Sequence, residues 1–503
     1  MKKLSVNYFL NLIYEILLIA VPLIMTPYIS RVLLPEGVGQ YSYCVSIVSY
    51  FTTAATFGFA TYSERQIAKY QNNVGGQISE TSEIVIDKLI LTLIVGVAYC
   101  VILFSGVFKE YTKLLWILLI NIVSIPFDIS FYFKGNENFL IIVSRNILIK
   151  IITIALVFIF IKTSNDLWIY ALINALSIFI SNASLWFNYM SKCIKNYENI
   201  HISLRNCLNH FKEAFIYFIP SIAISISSMI DNTLIGLLVT GEVENQTGEI
   251  VKNSDVQNGY YSQASKIVKM AMTVVSSLAT VILPRNSFEF ERDNIENAKR
   301  NMYWAFNTIF IVGFPMCFGL IAIANNLVPW FLGTGYEECI VLLIILTPMV
   351  VINGITALVG YSWLIPKGEV KKFTVVVCVI SVTNTITSII LIPVFYAMGA
   401  ILGTLFSEMI GTLICLILVR RHINLIKVFQ MNFKYLIYSI IMGGIVLLVS
   451  HFLDSSIINT IILIFVGVLI YAILLLLFKD QYFMNVIKKI VKKFRNRKGG
   501  VEN

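Results

Sequence analysis

The sequence predicts an all-α integral membrane protein of about fourteen transmembrane helices. It predicts two parallel six-helix lobes around a central cavity, followed by two further helices. Three observations carry this expectation. Of the 503 residues, 57% are hydrophobic and only 13% are charged, about half the charged share of a soluble chain. The apolar residues fall in runs of about 20, the length of a helix that crosses about 30 Å of hydrocarbon, and not in the alternating stretches of about ten that build a β-barrel. A stretch near residue 40 also returns near residue 260, as in transporters built from internal repeats.

The runs cover approximately 8–30, 40–62, 84–106, 114–133, 140–161, 167–190, 214–239, 259–283, 303–325, 338–361, 373–394, 397–419, 434–451 and 456–478. The opening "MKKLSVNYFLNLIYEILLIAVPLIM" has the basic start of a secretory signal. Glu15 interrupts its apolar core and no small-residue cleavage site follows, so it reads as the first membrane helix. Fourteen crossings place both termini on one side, and the positive charges say which. With a cytoplasmic N-terminus, the inner loops and tails hold 29 of the 38 Lys and Arg, and the outer loops hold Arg31, Lys109, Lys113, Lys162 and Lys252. Lys88, Lys150, Lys266 and Lys269 remain inside the helices.

The net charge of +10 does not indicate nucleic acid, because the charge sits in cytoplasmic turns and in the tail "KKIVKKFRNRK". Such a tail suits anionic membrane lipids. The eight cysteines are scattered without a CxxC pair, and the four histidines show no metal-ligand spacing along the chain. No metal or organic cofactor is expected. No loop is long enough for a soluble catalytic domain. The longest outer loop, "TGEVENQTGEIVKNSDVQNG" from residue 240, is polar and expected to be mobile; its "NQT" has the form of a glycosylation acceptor.

A shift of 220 residues lays "GVGQYSYCVSIV" on "NGYYSQASKIV": Gly39 on Gly259, Tyr41 on Tyr261, Ser42 on Ser262, Ile47 on Ile267 and Val48 on Val268. The preceding helices carry Pro22 and Pro220, and a Lys-Gly turn follows both the fourth and the tenth helix. The repeat unit is therefore six helices, an even number, so the halves are parallel. The domains expected are a first lobe over 1–205, a second over 206–425, two extra helices over 426–480 and a basic cytoplasmic tail over 481–503.

Steps of four and three mark one face of a helix. From Ser262 they give Lys266, Lys269, Thr273 and Ser276; from Ser42 they give Ser46, Ser49 and Thr53. The two copies thus carry matched polar stripes, and only the second holds lysines. Hydroxyls alone can be helix glue, but a lysine in a membrane span needs water, a partner or an anion. One reading pairs the lysines with Asp231; the preferred one is a cation-lined cavity for an anionic substrate. Arg31, Arg65, Arg145 and Lys150 are the other cations of such a cavity, the arginines also being suited to anchoring helix ends at headgroups. Glu15, Asp128, Asp231 and Glu408 are carboxylates able to carry a coupling ion, H⁺ or Na⁺.

Four segments in order resemble the bacterial polysaccharide flippases, exporters of O-antigen and capsule repeat units within the multidrug/oligosaccharidyl-lipid/polysaccharide transporter superfamily. They are "PLIMTPYISRVLLPEGVGQYSY", "FYFKGNENF", "IDNTLIGLLVTGE…NGYYSQASKIV…ILPRNSFEF" and "IILIPVFYAMGAILGTLFSE". The resemblance implies alternating access in the bacterial cytoplasmic membrane, with an undecaprenyl-pyrophosphate-linked oligosaccharide as substrate. It implies that Arg31, Arg65, Lys150, Lys266 and Lys269 line the cavity, and that no covalent chemistry takes place. Polymerase and other polysaccharide-assembly proteins are further partners it suggests. The 240–258 loop is longer than that family's pattern requires. Three alternatives stay open: a multidrug-type cation antiporter, a peptidoglycan lipid-precursor flippase, and a membrane polymerase or ligase. The first would favour carboxylates on the stripe, and the last would need a large outer catalytic loop.

Overall fold

The computed structural model describes residues 2–70, 73–195 and 204–484, so most of the basic tail lies outside the described residues. Its helices are α1 (Lys2–Thr56), α2 (Phe59–Lys69), α3 (Val74–Phe104), α4 (Thr112–Val123), α5 (Ser130–Gly135), α6 (Phe139–Phe160), α7 (Leu167–Ala183) and α8 (Leu185–Lys195). Then follow α9 (Leu204–Leu238), α10 (Asn253–Glu291), α11 (Ile295–Leu332), α12 (Glu338–Leu346), α13 (Met349–Val359), α14 (Val370–Val419), α15 (Leu425–Ser450) and α16 (Ile457–Leu477). Strands β1 (Glu242–Glu244) and β2 (Ile250–Lys252) lie between α9 and α10. Helix dominates because a backbone in lipid must satisfy its own N–H and C=O groups.

Twelve stretches among the described residues are long and apolar enough to cross a membrane. Two of them, Ala20–Lys69 and Val370–Val419, run 50 residues, about 75 Å if continuous and more than twice the hydrocarbon thickness. The first is broken at Leu34, φ 58° and directly before Pro35, and again at Phe57 and Gly58, between α1 and α2; the second is broken at Tyr396, φ 52°. A non-glycine residue held at positive φ costs on the order of 1–3 kcal/mol, and at Leu34 and Tyr396 it marks a kink between two helices. Each stretch thus holds two helices merged across a kink, where the sequence reading expected two separate spans.

The chain falls into two compact units. The first comprises residues up to Ser265, Leu332–Leu342 and Thr374–Gly411; the second comprises Lys266–Phe331, Leu343–Phe373 and the residues from Thr412. In the first, α1 packs against α3, α4, α6 and α9. Leu33, Cys44, Leu115, Leu118, Ile122 and Val157 form one buried cluster, and Phe59, Ile67, Ile78, Ile84, Phe133 and Ala214 another. In the second, α15 packs on α16, and Trp330 Nε1 donates to Thr460 Oγ1 at 2.6 Å. Lipid is as apolar as leucine, so such packing and interhelical hydrogen bonds are what join the helices.

Two local features depart from the sequence reading. The 240–258 loop is an ordered hairpin, with Glu242 opposite Lys252, Val243 opposite Val251 and Glu244 opposite Ile250. Asn245 builds its turn: Oδ1 accepts from Thr247 N at 3.0 Å, Thr247 Oγ1 at 2.8 Å and Glu249 N at 2.8 Å, while Gly248 takes φ 80°. The Asn-Gln-Thr triplet therefore acts as an Asx-type turn. The two Lys-Gly sites also differ. Gly368 is a turn glycine at φ 81°, whereas Gly135 ends α5 where a Cβ would sit 2.9 Å from Ile67 Cβ; there Glu137 takes the positive φ.

Candidate functional site

The polar stripe of α10 starts at Ser262, whose Oγ donates to Asn232 Oδ1 on α9 at 2.8 Å. One turn on, Lys266 is half-buried, and Lys269 beside it is exposed. Thr273 Oγ1 donates back to Lys269 O at 2.8 Å, and Ser276 Oγ to Thr273 O at 3.4 Å. Their hydroxyl protons are thus spent on the helix's own carbonyls, leaving oxygen lone pairs to accept. The stripe therefore offers two ammonium groups flanked by acceptors.

The hydrogen bonds on Asp231 among the described residues come from hydroxyl and amide donors. Asp231 is buried in α9 and takes four neutral donors from α10 and α14: Tyr261 Oη at 2.8 Å, Ser388 Oγ at 2.7 Å, Thr404 Oγ1 at 2.6 Å and Asn384 Nδ2 at 3.2 Å. Hydrogen bonds to a charged acceptor contribute about 1.5–3 kcal/mol each, so the four donors offset part of the cost of burying this carboxyl. Glu408 is half-buried on α14. The Glu15 side chain lies outside the described residues.

The other predicted cations form separate groups. Arg145 and Lys150 of α6 line one cavity of about 590 Å³ together with Asp128, Lys134, Asn146 and Asn182. In it Arg145 donates to Ser181 O at 2.5 Å and to Asn146 Oδ1 at 2.8 Å, and the Asp128 carboxylate accepts from Ser130 N at 2.9 Å. Arg31 is exposed, its stem against Gly333, where a Cβ would come 2.8 Å from Arg31 Cγ. Arg65 is exposed and donates to the Tyr217 hydroxyl on α9.

The hairpin end is built differently. A cavity of about 650 Å³ there is lined by Glu36, Glu244 and Glu338 with Gln246, Tyr260 and Tyr396. Asn245 Nδ2 donates to Glu36 Oε1 at 2.7 Å, and Thr334 Oγ1 to Gln246 Oε1 at 3.0 Å. Below it the repeated glycines pack backbone on backbone. A Cβ on Gly39 would fall 1.7 Å from Asp255 O, and one on Gly259 would fall 2.0 Å from Pro35 O. Each copy of the glycine admits the segment that carries the other. Asp255 secures the contact by accepting from Gln40 Nε2 at 3.1 Å and Tyr111 Oη at 2.8 Å.

Residues 5–288, more than half of the chain, match the family described as "Polysaccharide biosynthesis protein". The chain belongs to that family. It is 21% identical to a protein of Escherichia coli (strain K12) named "Putative O-antigen transporter", over 80% of this chain and 93% of that one. A Shigella dysenteriae protein of the same name is 23% identical over 78% of this chain and 94% of its own length. Among solved structures, lipid II flippase MurJ in an inward closed conformation matches with a TM-score of 0.70 at 18% identity, over 95% of this chain and 99% of that one. An inward-facing multidrug resistance MATE transporter of the MOP superfamily matches with a TM-score of 0.63 at 14% identity, over 83% and 98%. This polysaccharide biosynthesis protein thus has the all-α fold of membrane transporters.

Sequence reading of this family member missed Lys134, the donors around Asp231 and the hairpin. Asn384, Ser388 and Thr404 stand 153, 157 and 173 residues from Asp231, beyond any local periodicity. Their own spacing gave a signal, since a step of four puts Asn384 and Ser388 on one face of an apolar helix.

Proposed function

We propose that the protein is a flippase. It moves undecaprenyl-pyrophosphate-linked oligosaccharide repeat units from the inner to the outer leaflet of the bacterial cytoplasmic membrane, by alternating access, for surface polysaccharide. The observation that carries this reading is the Lys266–Lys269 pair, one turn apart on a polar stripe of a membrane helix. A diphosphate cannot enter hydrocarbon bare, because it would lose its hydration. Two ammonium groups replace part of that hydration as mobile point charges, hydroxyls meet the sugars, and the lipid tail stays in the bilayer. The names of the curated relatives and the family membership support the same class of cargo.

With the hairpin on the outer side, its acidic rim disfavours return of the anion once released. Arg145, Lys150 and Lys134 supply a second cationic station in the first unit. Asp231 is the coupling residue: all its hydrogen-bond partners are neutral, so a proton or Na⁺ completes the charge of that pocket. Changing Lys266 and Lys269 together to Ala abolishes surface polysaccharide and leaves lipid-linked repeat units in the inner leaflet, at unchanged protein level. Normal surface polymer in that double variant sinks the reading. Transport by reconstituted protein that responds to neither a proton nor a sodium gradient sinks the role of Asp231.

A further inference from the structure

One cluster of buried polar side chains takes no part in the transport reading. Glu80, Glu83 and Asp87 follow one another by three and four residues along α3, which puts them on one face. His210, near the start of α9, lies against that face. All four are at least nine-tenths buried, with relative exposures of 8%, 2%, 0% and 5%. Apolar Phe59, Ile78, Ile84 and Ala214 belong to the cluster around them, and the Tyr62 ring lies 5.7 Å from the imidazole.

The distances divide the four residues into two roles. Asp87 Oδ2 is 2.9 Å from His210 Nδ1, a hydrogen-bond distance. Nε2 lies 3.4 Å from Glu80 Oε1 and 3.8 Å from Glu83 Oε2, longer than the 2.7–2.9 Å of a charge-assisted hydrogen bond. One donor atom each from Glu80, Glu83 and His210 lies within 4.8 Å of the other two. Bonds of about 2.0–2.1 Å to a tetrahedral ion imply ligand–ligand edges of about 3.3–3.4 Å, so these atoms already stand close to coordination spacing. His210 Nδ1–H donates to an ionised Asp87, which leaves the Nε2 lone pair facing the glutamates. A carboxylate behind the ligating imidazole is the usual outer partner of such an ion.

Three carboxylates gather on one imidazole, and a divalent ion offsets more of their charge than a proton on that imidazole does. Lys69, at the end of α2, donates Nζ to Gln66 Oε1 at 2.9 Å and adds its charge near Glu80. We propose that Glu80, Glu83 and His210 bind a divalent transition-metal ion of the zinc class, with Asp87 orienting the imidazole. Mixed nitrogen and carboxylate donors in this number suit Zn²⁺ over Ca²⁺ or Mg²⁺, which prefer six or more oxygens. The ion braces α3 to the first turns of α9, at the end of α9 away from the hairpin and at the junction between the two repeats.

The site escapes a reading of spacing along the chain because His210 and Asp87 are 123 residues apart. The test uses the full-length protein in detergent with any affinity tag removed, stripped with chelator and titrated with ZnCl₂ in a competing-chelator buffer. Metal content, zinc-edge absorption spectra and thermal unfolding are read together. The proposal expects one zinc per chain, a first shell of nitrogen and oxygen without sulfur, and an unfolding temperature that rises with zinc. His210→Ala and the volume-conserving Glu83→Gln each lose the bound zinc. Asp87→Asn weakens it by about 10- to 100-fold, the range for outer-shell partners. Absent uptake, a sulfur-containing shell, or stoichiometric zinc in a His210→Ala or Glu83→Gln protein that elutes as wild type overturns it. The spectrum of the unaltered protein decides the matter even if a variant does not fold.

Discussion

The second half of α1 and the first half of α10 share a residue pattern at a shift of 220, and their polar stripes are used differently. In α1 the stripe is spent on packing. Ser46 Oγ meets Thr233 Oγ1 at 2.8 Å, and Thr53 Oγ1 donates to Ser225 Oγ at 2.8 Å, both on α9. Ser42 and Ser49 turn back on Val38 O and Val45 O. In α10 Ser262 reaches Asn232 on α9, and Lys266 and Lys269 stand at the positions equivalent to Ser46 and Ser49. A serine can satisfy itself on the preceding turn, so hydroxyl spacing alone does not distinguish glue from a binding face. An ammonium carries a full charge that a single backbone carbonyl does not neutralise. One stripe thus joins α1 to α9 through hydroxyls, while the other carries two lysines at the same positions.

The largest effect expected separates the two stripes directly. Lys266→Ala with Lys269→Ala removes transport, whereas Ser46→Ala with Ser49→Ala keeps at least half of it. Export of lipid-linked repeat units measured in the same strain background checks both, and equal losses would erase the distinction. Next come the shared glycines. Gly39→Ala and Gly259→Ala each drive a methyl into backbone and cost about 1–3 kcal/mol as overpacking, read as a fall of several degrees in unfolding temperature. Gly444→Ala, with nothing within 4 Å of the new Cβ, leaves it unchanged. A smaller loss, about 1 kcal/mol, is expected for Thr53→Val, which removes one interhelical hydrogen bond. Ser276→Ala, which loses only a bond to its own helix, is expected to fall within experimental error in the same unfolding measurement.

Much of the fold was legible because the bilayer imposes one length on every crossing. Runs near 373–394 and 397–419 were separable even though only Tyr396 breaks the helix between them. The hairpin was not legible, since three-residue strands lie below any period and their order comes from Asn245 gripping its own turn. At the site, the lysines stood out because charge is rare in apolar runs. The Asp231 pocket and the Glu80–Glu83–His210 cluster did not, because each joins helices more than 100 residues apart in sequence. Arg31 and Arg65, expected at the cavity by charge and by resemblance, lie against Gly333 and Tyr217.

The Asn245 turn has a practical use. Its tip at Thr247 is exposed, and its hydrogen bonds close on Asn245 itself, so a label there displaces nothing that the helices need. A Thr247→Cys protein treated in intact cells with a membrane-impermeant thiol reagent would report which face of the membrane carries the hairpin. A short epitope at the same point would give an antibody a grip on one side of the molecule alone, and with it a way to orient single particles.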